Sequence, residues 1–445
     1  MLKELPSRSK SPSVGSDLRP IVLVVSPAFP TLDQLAVELA RRQLLSVVVH
    51  PFLVLDDRLY RIAGRVPWVG TRLVRELRRR ARPEALPKRR VVLAGSRWDV
   101  LHAALHRMSR WVSRPLRPPF EVAAYWALWR RNSRLAHEAA NHVLDVDVIV
   151  ASFGTGLPAF LSAPTGVLRC LDYPTAIWDI SREMLLEEGR VNPEFAVTIE
   201  NLTISARTQA LVRREVAVAD VILVGSEFAR QTFLMAGIAP ERLLVATYGV
   251  DTELFAPDPV SCSSNQAFTA LFAGSIGQRK GISYLLDAWT IFLASRVRED
   301  ARLLLAGSFV GDPTPVLRRA ELFEHLPHRP LAELPKIFQR ASVFVLPSIV
   351  EGMPLVVLEA MASGVPCIVT PNGAAGVVRD GVDGFVVPIR DPAAIADRLQ
   401  RLAVDSELRQ QMSRNARARA LEYNPATYTD RVLEGLRAKL DVRDG

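Results

Sequence analysis

The 445-residue chain is 49% hydrophobic and 23% charged, an ordinary globular balance, and its length predicts two or three domains rather than one core. Its net charge of +9 is concentrated, because residues 58–134 hold 20 Lys and Arg against Glu76, Glu84, Asp99 and Glu121; that window is net +16 and the remainder −7. Three widely spaced cysteines, Cys170, Cys262 and Cys367, exclude a disulfide framework, and no apolar run approaches the ~18 residues of a membrane span, so a cytoplasmic protein is expected.

Residues 1–19, rich in Ser, Pro, Lys and Arg, read as a disordered tail. From Pro20 onward, apolar strands alternate with amphipathic stretches, which predicts a parallel α/β fold. IVLVV (21–25), SVVV (46–49), DVIVAS (147–152), VILVGS (221–226) and RLLVATYG (242–249) read as buried strands, with a helix over 32–43. A second series follows a stretch containing Pro and Ser: 268–275, 301–308, 342–348, 366–370 and 384–388. The expected organisation is an N-terminal domain over 20–254, a linker over 255–266 and a C-terminal domain over 267–420. A helix over 421–445 is expected to pack back on the first domain.

In such sheets ligands bind outside the carboxyl ends of the strands, and two junctions there carry chemistry. In AGSIGQRKG, Gly274, Ser275, Gly277 and Gly281 lead into a helix with Arg279 and Lys280 at its mouth. Glycines let backbone amides approach an anion, and the cations neutralise it. In EGMPLVVLEAMASG, Glu351 and Gly352 lie in the loop and Pro354 suits the first helical position. Glu359 is the only charged residue between Glu351 and Arg379, among apolar neighbours. A carboxylate there needs a partner, either a buried Arg or a ligand.

The basic window also holds five of the seven tryptophans, Trp68, Trp98, Trp111, Trp126 and Trp129. Trp98, Leu101, Leu105, Met108 and Val112 recur at helical spacing. The stripe is either core or, with its arginines, a face for an anionic membrane surface. No nucleic-acid motif accompanies the charge, so no nucleic-acid partner is expected. His102 and His106 share a helix face without a third ligand, and Asp145 and Asp147 precede a strand rather than follow one, so no metal is expected.

The C-terminal half resembles the retaining glycosyltransferases of family 4 through AGSIGQRKGISYLLDAW, the pair Glu351 and Glu359 with seven residues between them within EGMPLVVLEAMASGVPCIVT, and VVRDGVDGFVVPIRDPAAIADRL. ADVILVGSEFARQTFLMAGI and LVATYGVDTELFAP extend the resemblance over roughly residues 200–425. It implies the GT-B architecture, two Rossmann-like domains facing across a cleft, and transfer of a sugar from a UDP- or GDP-linked donor to a glycan or lipid-linked acceptor, with no cofactor. Glu359 would accept the ribose hydroxyls, Glu351 would contact the donor sugar, and Lys280 with Arg279 would clamp the diphosphate. Gly274, Ser275, Gly277 and the amides of Gly352, Met353, Pro354 and Leu355 would line the donor site, with His328 near the base.

The chain departs from the family's pattern in three places. Ser275 stands where members often have Arg, SPAFPTLD lacks a Gly-Gly loop, and RCLDYPT offers Asp172 where members often have a cleft His. A catalytically degenerate nucleotide-sugar-binding protein and an epimerase on the same fold are the alternatives. A glycosidase would also use two carboxylates but has no need of Lys280 beside a glycine-rich loop.

Overall fold

The computed structural model describes residues 19–54, 82–111, 117–199, 205–258, 267–374 and 376–444. Residues 1–18 of the expected tail, Trp68, Val112 and linker residues 259–266, with Cys262, lie outside them. The described residues form two lobes, each a parallel sheet flanked by helices, which is the GT-B architecture.

The N-terminal sheet contains β1 (Val22–Val25), β2 (Leu45–His50), β3 (Val91–Leu93), β4 (Val148–Ser152), β5 (Leu168–Asp172), β6 (Val221–Val224) and β7 (Leu243–Val245). Their order is β3-β2-β1-β4-β5-β6-β7, every pairing parallel. The C-terminal sheet repeats the scheme as β10-β9-β8-β11-β12-β13, from β8 (Thr269–Ala273), β9 (Arg302–Ala306), β10 (Glu324–Leu326), β11 (Val343–Leu346), β12 (Cys367–Val369) and β13 (Gly384–Val386). β1, β4, β6, β8, β11 and β12 are buried along their whole length, as continuous apolar runs covered by helices on both faces must be.

Three strands are missing from the sequence reading. β3 and β10 are three-residue edge strands, and β10 (EHL) has no apolar run. β5 is central but carries Arg169, whose guanidinium reaches out to Asp220 in a bidentate pair at 2.9 and 2.8 Å. The first helix, α1 (Pro30–Arg41), buries Leu32, Leu35, Ala36 and Leu39 at i, i+3, i+4 and i+7. It ends before the expected residue 43 because Gln43 turns left-handed at φ 62°.

The last helix, Pro425–Asp444, lies on the N-terminal lobe, where Asp430 pairs with Arg42 and Lys439 donates to the Glu241 carbonyl. One apolar core runs through both lobes, from Val22 and Val148 through Tyr248 and Met353 to Phe272 and Val345. Among the described residues no helix is long and apolar enough to cross a membrane.

Candidate functional site

The strand β11 and the helix α2 (Leu355–Ala362) are joined by a loop that carries Glu351. Pro354 stands one place earlier than expected, as the extended residue that caps α2, and Glu359 is the fifth residue of the helix. Gly352 has its own reason: a Cβ there would lie 1.9 Å from the Pro174 carbonyl of the other lobe, so only glycine fits. Ser226 donates to the Gly352 carbonyl, which fixes the loop against the N-terminal lobe.

The neighbouring junction turns through Gln278–Lys280 and then through Gly281, left-handed at φ 70°. The two junctions are tied together by Ile349 N–H donating to the Arg279 carbonyl at 2.9 Å. Lys280 Nζ lies 2.6 Å and Arg279 Nη1 2.8 Å from the same Glu351 oxygen. Burial alone would push the Glu351 carboxyl up, but the attraction and hydrogen bonds of Lys280 and Arg279 outweigh it and hold the group below the usual glutamate range. The two cations assigned above to a diphosphate are thus held by the carboxylate assigned to the donor sugar, leaving one net positive charge in a triad of which Lys280 and Glu351 are buried and Arg279 half-buried.

Glu359 behaves in the opposite way. It is half-buried, and no described residue hydrogen-bonds or pairs with its carboxylate, so the buried-Arg alternative is not found. Burial pushes its carboxyl up to about 7.

The other expected residues divide. Gly274, at φ 134°, lies against the Lys280 stem, and Ser275 is half-buried in the same loop. Gly277 faces away from the triad, toward the Thr198 carbonyl. Met353 and Pro354 are buried and Leu355 is half-buried at the helix mouth. His328 is exposed; His325 is the histidine that bonds into the sheet end, with its Nε2 2.9 Å from the Gly307 carbonyl and its ring against Phe309.

Asp172 ends β5, two residues before the Pro174 that abuts Gly352, but its carboxyl is fully buried with neither oxygen partnered. Burial pushes it to about 7. Ser152, its partner across the sheet, and the hydroxyls of Tyr248 and Tyr428 are buried and unpartnered as well.

Sequence reasoning missed a polar group at the ends of β1 and β2, next to the β1–β4 switch point where such sheets bind ligands. Ser26 donates to Asp33 at 2.6 Å, and His50 Nε2 lies 3.5 Å from the same oxygen. Ala28, in the loop that lacks the Gly-Gly pair, sits at φ 72°, where glycine is favoured. The available signal was a polar residue closing each apolar run, Ser26 and His50. Among the described residues no cluster of three or more His, Cys, Asp or Glu could hold a metal ion.

The stripe of the basic window faces outward. In the helix Ser96–Trp111, Leu101 and Met108 are exposed and Leu105 and Trp98 half-buried, while Asp99 and Ser109 face inward. Asp99 pairs at 3.0 Å with Arg131 of the neighbouring helix Arg117–Ala139, which exposes Val122 and Trp126. Arg97 lies over Trp98, and Arg130 over Trp126 and Trp129.

Residues 267–405, which contain the triad and Glu359, match a family model described as Glycosyl transferases group 1. The D-inositol 3-phosphate glycosyltransferase of Acidothermus cellulolyticus is 28% identical over 250 residues, 50% of this chain and 55% of that protein, so the chain spans about half the length of this curated relative. Anabaena HepE in complex with UDP and glucose superposes with a TM-score of 0.56 at 17% identity, covering 94% of this chain and 99% of that one. A sucrose-phosphate synthase from Thermosynechococcus elongatus reaches 0.58 at 16% identity, covering 95% and 99%. These likenesses show the shared two-lobed fold.

Proposed function

With residues 267–405 forming a glycosyl transferases group 1 domain, we propose that the chain is a retaining glycosyltransferase that moves a sugar from a UDP- or GDP-linked donor to an acceptor hydroxyl. The observation that carries this reading is Glu359, a half-buried carboxylate with no described protein partner, on the helix that follows the Glu351 loop to which Lys280 and Arg279 are paired. A ribose diol supplies two O–H donors to that carboxylate, which offsets its desolvation. Lys280 and Arg279 then move part of their charge from Glu351 to the diphosphate. As the nucleoside diphosphate departs, its growing negative charge meets these cations and the amides at the start of α2, and the reaction draws on them rather than on a metal. Glu351, released in part from the cations, turns to the donor sugar.

The outward stripe supports an acceptor presented on an anionic membrane. Val100, Leu101, Met108, Val122 and Trp126 are exposed beside Arg97 and Arg130, the composition of a surface that lies on lipid headgroups rather than in a core. The protein is then cytoplasmic and peripheral.

The test is a panel of nucleotide-sugars scored for transfer or hydrolysis by the wild type and Glu351→Ala. Glu351-dependent turnover supports the enzyme, whereas binding without turnover on any acceptor supports the degenerate binding protein. Flotation with anionic liposomes tests the surface, and association that does not weaken with salt would sink it.

A further inference from the structure

The helix α3 (Trp178–Val191) follows β5 in the N-terminal lobe, yet its Glu188 is fully buried among side chains of the other lobe. Oε1 of Glu188 accepts from Gln278 Nε2 at 2.7 Å and from the Tyr284 hydroxyl at 2.8 Å. Oε2 accepts from Arg390 Nε at 2.7 Å, and Arg390 also reaches Glu187 at 3.1 Å. Arg390 holds this place at φ 61°, a left-handed backbone that a side chain adopts only when its surroundings over-determine it.

Gln278 is the hub. Its side-chain oxygen accepts from Ser283 N–H at 3.1 Å, and its own N–H donates to Thr198 Oγ1, also of the N-terminal lobe, at 3.1 Å. Asn192, just past α3, donates to Ser283 Oγ at 2.6 Å. The turn is therefore gripped by the opposite lobe through both its backbone and its side chain, and its next two residues are Arg279 and Lys280.

We infer that Glu188 is a positioning residue: through Gln278 it sets the turn that aims Arg279 and Lys280, so the phosphate-binding charge is in register only while α3 is docked on the C-terminal lobe. The inference rests on the donor-site reading of those two cations. Burying a carboxylate costs less when both of its oxygens are satisfied, and here the satisfaction comes entirely from across the seam. Arg390 neutralises the charge, whereas Gln278 transmits the position.

Hydrogen exchange of the full chain tests this at the Lys280 and Gly281 amides, which bond to the Gly277 and Gln278 carbonyls. Glu188→Gln and, as a gentler variant, Thr198→Val are expected to speed exchange at both amides about tenfold while leaving Val22–Val25 unchanged. Arg390→Met, which keeps the Gln278 bond, should disturb global stability more than this turn. Unchanged exchange at Lys280 and Gly281 in the folded variants overturns the proposal. UDP and GDP titrations separate it from the donor-site reading. If the wild type binds neither while exchange still responds, the donor site fails and the coupling stands. If UDP binds wild type and Glu188→Gln equally, the positioning role fails and the donor site stands.

Discussion

The two lobes share one strand order, and their facing edges treat charge in opposite ways. At the C-terminal lobe's edge, Lys280, Arg279 and Glu351 satisfy one another, and the acid is held below its usual range. At the N-terminal lobe's edge, Asp172 and the hydroxyls of Ser152, Tyr248 and Tyr428 are sealed in without partners, and the acid is pushed up to about 7. The same architecture therefore presents paired charge on one side, with one net positive charge left over. On the other side it holds a carboxyl that fits its site best when protonated.

The largest effect that would break this contrast is at Lys280. Lys280→Ala leaves one cation at the leaving diphosphate and should lower the transfer rate about 10²–10³-fold in steady-state kinetics, the scale of removing one preorganised stabilising group. Retained activity would mean that the triad is only structural.

Next comes Glu359→Gln, which should weaken nucleoside diphosphate binding by about 1.5–3 kcal/mol in calorimetry, the worth of hydrogen bonds to a charged acceptor. The same variant carries a stability signature. The Glu359 carboxyl titrates near 7 in the folded chain against an ordinary 4.5, so its contribution to folding is fully present below about 4.5 and is lost as pH rises through about 7. The denaturant midpoint of Glu359→Gln relative to wild type should therefore climb between pH 5 and pH 8. A flat difference would mean that the carboxylate finds a partner in solution.

Asp172→Asn sharpens the comparison from the other side. A neutral isostere should raise stability above pH 7, by the same sign, and leave transfer within about threefold of wild type, since a group sealed from the cleft takes no part in transition-state binding. A loss of several orders of magnitude would return Asp172 to the chemistry. The smallest effect belongs to Ala28→Gly, which relieves a left-handed alanine and should add roughly 1 kcal/mol in equilibrium unfolding.

What was legible in the sequence was local. The Glu351 and Glu359 spacing, the glycine turn before Lys280 and the apolar strand runs all depend on neighbours in the chain, and the structure ties the Glu351 loop to the Lys280 turn. What was not legible depended on distance. Glu188 reads as one more acid of a solvated helix until Gln278, Tyr284 and Arg390 arrive from 90, 96 and 202 residues away. The helical period of the Trp98 to Met108 stripe was visible, but its outward face was not, because Asp99 and Arg131 form the buried pair that turns it. Asp172 was a cleft candidate only through the resemblance, as the polar residue where members often have a His, and the burial of its carboxyl shows only in the sheet.

The central claim is that Glu359 and the Lys280 turn form the two ends of a nucleotide-sugar site. A crystal structure of the chain with a bound nucleoside diphosphate tests it most directly. The account predicts both ribose hydroxyls within hydrogen-bonding distance of Glu359, and the diphosphate on Lys280 and Arg279 with the Glu351 pairing loosened. A nucleotide bound elsewhere, or one that leaves Glu359 without a contact, would contradict it.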